Sequence, residues 1–155
     1  MRIYQGKIRV ENLRDFLNKI PDGCVLVNAD YIVDIDTVRF AAEKALKMWE
    51  SGKRVARTLS MEVLLHIAAT RQINQALRIG VREGENSVVV VDICGCRNLL
   101  EDLGFEEQNV LRMDEEKVRR ISDFYGISDE ELRIVGASRI GLLVRERMAL
   151  FAISK

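Results

Sequence analysis

The sequence is short of the side chains on which most enzyme chemistry rests. It has one histidine, one proline and three cysteines in 155 residues. A lone histidine leaves little room for the commonest general acid–base group. That residue, His66, sits inside an apolar helical pattern, where an imidazole is more often a packed core residue than a ligand. Cys24, Cys94 and Cys96 do not make the even, spaced framework of a small secreted domain. With no histidine near them they are too few for zinc, and no base stands beside them in motif form for nucleophilic work. Lys plus Arg is 24 and Asp plus Glu is 24, so net charge is zero and any basic patch must be local. There is no run of about 18 apolar residues, which excludes a membrane-spanning helix. Met1 to Gly6 has no apolar signal core, and a cytoplasmic protein is the expectation. No Walker-type phosphate loop, no Gly-x-Gly-x-x-Gly after a strand, no Gly-x-Ser-x-Gly elbow and no kinase signature occurs. Asp34 and Asp36 bracket Ile35, but either carboxylate serves better as a cap for the helix that follows than as a magnesium ligand. These absences favour a binding or regulatory protein over an enzyme, with no cofactor and no metal expected.

What is present is an ordinary globular balance, 48% hydrophobic and 31% charged. One domain over residues 1–155 is the expectation, since no linker, repeat or low-complexity segment divides the chain. Arg2 to Val10 reads as a strand near a sheet edge, because of its charges. Leu13 to Ile20 reads as a helix capped by Asn12 and ended by Pro21-Asp22-Gly23. Cys24 to Val27 reads as a buried strand. A helix from Thr37 carries the stripe Val38, Ala41, Ala42, Ala45, Leu46 and Trp49, and ends at Ser51-Gly52. Ser87 to Ile93 is β-branched on both faces, so it is predicted to be central and covered on both sides.

Further on, Asn98 to Leu103 predicts a short helix, and Val110-Leu111 a short strand. Asp114 caps a helix that Gly126 stops, and Ser128 to Glu131 is a capping box for the next. Arg139 to Arg147 predicts a last helix with Ile140, Leu143 and Val144 on one side. Ala149 to Ile153 reads as a closing strand or an apolar extension. The sum is an α/β chain: a single mixed α/β domain, with a small central sheet flanked by helices.

The organising stretch is Gly52 to Gly80. Lys53, Arg54 and Arg57 lead into Thr58-Leu59-Ser60. A first helix follows, apolar on nearly all sides through Met61, Val63, Leu64, Leu65, Ile67, Ala68 and Ala69, and so buried. Ser60 is its expected cap. After Thr70-Arg71-Gln72 a second helix presents Ile73, Ala76, Leu77 and Gly80 on one face, and Asn74, Gln75 and Arg78 on the other. Gly80 is its expected left-handed end. From spacing alone, these are two core helices with solvated arginines.

The order and spacing of several pieces resemble a known family. They are Ala41-Ala42-Glu43-Lys44-Ala45, Gly52-Lys53, Arg57 to Glu62, Ile73 to Leu77, and Gly80-Val81. The chain resembles the regulatory, kinase-binding subunit of the KEOPS complex in its archaeal form, the family of the human PRPK-binding protein. The likeness covers Asn28 to about Ile93 best. It implies a non-catalytic subunit that binds and stimulates the complex's small atypical kinase/ATPase. That complex helps make threonylcarbamoyladenosine on tRNA. It also implies binding of tRNA, chiefly its 3′ CCA end.

Placed on this sequence, the expected tRNA-binding residues are Lys53, Arg54, Arg57, Arg71, Gln72, Ile73 and Arg78. The kinase contact falls on the last helix, at Ile140, Leu143, Val144, Arg147 and Met148. The competing readings are an interaction domain unrelated to KEOPS, and a small enzyme built on dispersed acids, cysteines or lysines.

Overall fold

The computed structural model describes residues 1–154. In chain order the elements are β1 (Arg2–Val10), α1 (Leu13–Lys19), β2 (Cys24–Asn28), α2 (Ile35–Glu50), α3 (Leu59–Ala68), α4 (Ile73–Leu77), β3 (Gly84–Asp92), α5 (Arg97–Asp102), β4 (Glu106–Glu107), α6 (Glu115–Tyr125), α7 (Asp129–Val135) and α8 (Ile140–Ile153). Short 3-10 turns stand at Ala29–Tyr31 and Ala137–Arg139. Among the described residues no helix is long and apolar enough to cross a membrane.

The strands form one antiparallel sheet in the order β2-β3-β1-β4. Val88 to Val91 of β3 are fully buried, as their two-faced β-branching predicts. Alternation splits them between two cores. Val89 and Val91 join the larger one, with α2, α3, α6 and α8. Val88 and Val90 join a smaller one, with Phe16 of α1, Leu100 of α5 and Phe105. The result is a helix–sheet–helix sandwich.

β1 lies one place in from the edge, flanked by the two-residue β4, which pairs only with Gly6 and Lys7. That approach needs a glycine, because a Cβ on Gly6 would stand 2.7 Å from the Phe105 ring and against the Glu106 carbonyl. α2 packs through Ala41, Ala42 and Ala45, whose small side chains let α3 and α8 come close.

Several expectations are corrected. Thr58, not Ser60, caps α3, accepting from Met61 N at 3.2 Å. Ser60 Oγ accepts from Gly23 N instead, while Asp22 takes the N–H groups of Leu59 and Ser60. The left-handed residue between α3 and α4 is Ala69, at φ 54°, which ends α3, and Gly80 has no positive φ. Val110 and Leu111 are not a strand; their N–H groups donate to Gln5 Oε1. Ala149 to Ile153 is no closing strand, because α8 runs through it. Cys24 and Cys96, which the cysteine count does not pair, are joined as a disulfide across 72 residues.

Candidate nucleic-acid and partner interfaces

The loop between α2 and α3 carries the basic entry, and it is held tightly for an exposed segment. Lys53 N donates to Met48 O, and Arg54 Nε donates to Trp49 O at 3.1 Å. The Arg54 guanidinium lies 3.7 Å from the Trp49 ring centroid, a cation–π stack. Next along, the N–H groups of Val55 and Ala56 both donate to Glu62 Oε1 at 2.8 Å. Glu62 is completely buried in α3, and its Oε2 lies 3.2 Å from His66 Nε2. The His66 ring meets Phe151 of α8 edge-on, centroids 4.8 Å apart. Burial pushes the His66 imidazole below its ordinary pKa, against the opposing pull of Glu62. Burial thus favours the uncharged ring, which faces the Glu62 carboxyl group at hydrogen-bond distance.

At the far end of α3 the left-handed Ala69 turns the chain towards α8. Thr70 Oγ1 accepts from Gln72 N, and Arg71 Nη2 donates to Ser154 O at 2.8 Å, serving the carboxyl end of α8. Between these parts lies a hollow of about 520 Å³, lined by Met48, Lys53, Arg54, His66, Arg71 and Phe151 among others. No carboxylate lines it among the described residues, so three cations face one concavity. A second hollow, of about 470 Å³, shares Arg71 and Phe151 with the first and adds Gln72, Arg147 and Leu150.

The fold thus brings Lys53, Arg54, Arg71 and Gln72 together. The other expected tRNA residues lie outside both hollows. Arg57 is exposed at the entry to α3. Arg78 stacks over Phe124 of α6 at 5.4 Å and donates to Gln75. Ile73 stands 52% exposed on α4, whose five residues form little more than one turn and whose N-cap, Gln72, makes no side-chain cap. The aromatic and imidazole rings around the first hollow were not legible as site residues. Trp49 reads as the end of an apolar stripe, Phe151 as part of a closing strand or an apolar extension, and His66 as core.

The kinase anchors expected on α8 need the same sorting. Ile140, Leu143, Val144 and Met148 are buried in the larger core. Arg147 is committed to Glu131 by two hydrogen bonds of 2.8 and 2.9 Å and also donates to the Gly126 carbonyl. The pairing holds the Glu131 carboxyl down at about 2. The apolar surplus lies on the opposite face of the helix, where Leu142, Leu150 and Ile153 are 56%, 56% and 77% exposed. Helical spacing puts these three on one stripe.

Comparison with known proteins gives two kinds of match. The family described as kinase binding protein CGI-121 matches over residues 9–151. A KEOPS complex subunit Cgi121 from Pyrococcus abyssi is 34% identical over 123 residues, which is 76% of this chain and 70% of that protein. A regulatory protein Cgi121 from Methanocaldococcus jannaschii is 27% identical over 132 residues, 84% of this chain and 83% of that one.

Proposed function

Because the chain belongs to the kinase-binding CGI-121 family of KEOPS subunits, we propose that it is a non-catalytic, cytoplasmic regulatory subunit that works on two surfaces. One binds and stimulates the small atypical kinase/ATPase of the complex. The other holds the 3′ CCA end of tRNA for threonylcarbamoyladenosine formation. The observation that carries the tRNA reading is the convergence of Lys53, Arg54 and Arg71 on a hollow that no carboxylate lines among the described residues. Single-stranded RNA is held by cations on its phosphates and by flat groups on its bases. Here the flat groups are the Arg54 guanidinium, already seated on Trp49, and the ring of Phe151. Gln72 at the second hollow supplies an amide for a base edge. The kinase reading rests on the stripe Leu142, Leu150 and Ile153, an exposed apolar surface of the kind that anchors a stable interface; Ile153 lines the first hollow and Leu150 the second, so the two surfaces adjoin.

The test compares intact tRNA with tRNA trimmed of CCA, as a function of salt. With roughly three phosphates engaged, log affinity for intact tRNA falls with log salt at a slope of about −2. Arg71→Ala weakens intact tRNA and leaves the trimmed form nearly unchanged, whereas Arg78→Ala, outside the hollow, changes neither. Equal binding of both tRNAs by the wild-type protein removes the 3′-end reading.

A further inference from the structure

α3 is an almost wholly apolar helix that nevertheless buries a carboxylate in its first turn. An unserved buried carboxylate is strongly destabilising, so its oxygens must be matched. Glu62 matches them in a particular way. Oε1 takes the two consecutive backbone N–H groups of Val55 and Ala56. Oε2 takes the imidazole of His66, which lines the basic hollow. Among the described residues no other hydrogen bond holds the backbone from Val55 to Arg57, although that strap follows directly on Lys53 and Arg54. A leucine at this position would fill the core as well and leave the strap loose.

We infer that Glu62 is the positioning residue of the basic hollow: its two carboxylate oxygens tie the Lys53–Arg57 strap and the His66 floor into one preformed unit. The inference rests on reading the hollow as the tRNA site. Its physical content is preorganisation. A strap already fixed at Val55 and Ala56 loses little backbone freedom when ligand arrives, whereas a free strap loses that freedom on binding. Glu62 touches no ligand, and its effect passes through the placing of Lys53, Arg54 and His66.

The experiment uses the full chain with Glu62→Gln, Glu62→Met and Glu62→Asp. Gln keeps an acceptor at the Oε1 position. Met keeps the volume and removes both acceptors. Asp keeps the charge but falls one carbon short of the strap. Two readouts are taken: hydrogen exchange of the Val55 and Ala56 amides by NMR, and the ratio of affinities for intact and CCA-trimmed tRNA. In wild type and Glu62→Gln both amides are protected and the ratio is retained. In Glu62→Met both amides exchange freely while the α3 amides stay protected, and the ratio falls about tenfold through weaker binding of intact tRNA alone. Should Glu62→Met fail to fold, Glu62→Asp is read by the same two measurements with the same expectation.

Protected strap amides in Glu62→Met, or in Glu62→Asp where that variant is read, overturn the inference. So does free exchange that leaves the ratio unchanged. A wild type with no preference for intact tRNA removes the tRNA reading instead, and the amide measurement still decides whether Glu62 holds the strap.

Discussion

His66 Nε2 lies 3.2 Å from Glu62 Oε2, one helical turn away, with both side chains out of contact with water. Burial is the largest influence on His66 and disfavours its cation; Glu62 opposes it, and Lys44 adds to it. The imidazole therefore binds its second proton less readily in the folded chain than in the unfolded one. The unfolded state takes up that proton first as pH falls through about 6.5. Stability should be fully present above that pH and decline below it. Denaturant midpoints measured between pH 8 and pH 5 should show this decline, and His66→Gln should lose it. A wild-type midpoint that stays flat over that range contradicts the buried neutral histidine.

The two faces of α8 should respond to mutation in opposite ways. Leu143→Ala opens a cavity in the larger core and should cost about 2–5 kcal/mol in chemical denaturation. Leu150→Glu combined with Ile153→Glu alters exposed positions and should change stability little. It should nevertheless abolish capture of the KEOPS kinase by the purified chain. Wild-type capture by a folded double variant would move the kinase contact off this stripe.

The Cys24–Cys96 bond closes a loop of 72 residues between β2 and the turn after β3. Cross-linking over such a length stabilises by about 4 kcal/mol in the chain-entropy account. A reductant should therefore lower the denaturation midpoint of wild type and leave Cys24→Ala/Cys96→Ala unaffected. Cys94 is the free, exposed cysteine, though burial and Asp92 push its thiol above the ordinary range. Alkylation without reductant should add one label by mass, and reduction with unfolding should add three. Three labels without reductant would contradict the pairing.

Gly6 should not tolerate a methyl group. Ala at this position drives its Cβ into the Phe105 ring and the Glu106 carbonyl. Repositioning β4 and the ring should cost about 1–3 kcal/mol. The measurement is the denaturation midpoint of Gly6→Ala, with tryptophan fluorescence reporting that the distant Trp49 region is unchanged. A midpoint equal to wild type would show that β4 can move away freely.

The features legible along the chain were those that depend on neighbours in sequence. Asn12, Asp34, Asp114 and Ser128 cap their helices because an N-cap needs only a short polar side chain and the next three N–H groups. β3 declares its central place through Val88 to Val91, because a run apolar on both faces needs cover on both sides. The family resemblance, too, rests on linear order and spacing.

What remained hidden depends on partners far away in sequence. Thr58 and Ser60 are equivalent candidates for capping α3 until Asp22 and Gly23 arrive to occupy Ser60. Leu142 and Leu143 are alike to hydropathy, since α8 is apolar around much of its circumference. Packing against α2 and α3 buries Leu143 and leaves Leu142 outside. The arginines are equally alike in sequence, yet Arg71 turns to the end of α8 while Arg78 turns to Phe124. Local periodicity records which residues share a face; only the docking of one element on another selects which face is spent on the core and which cations meet.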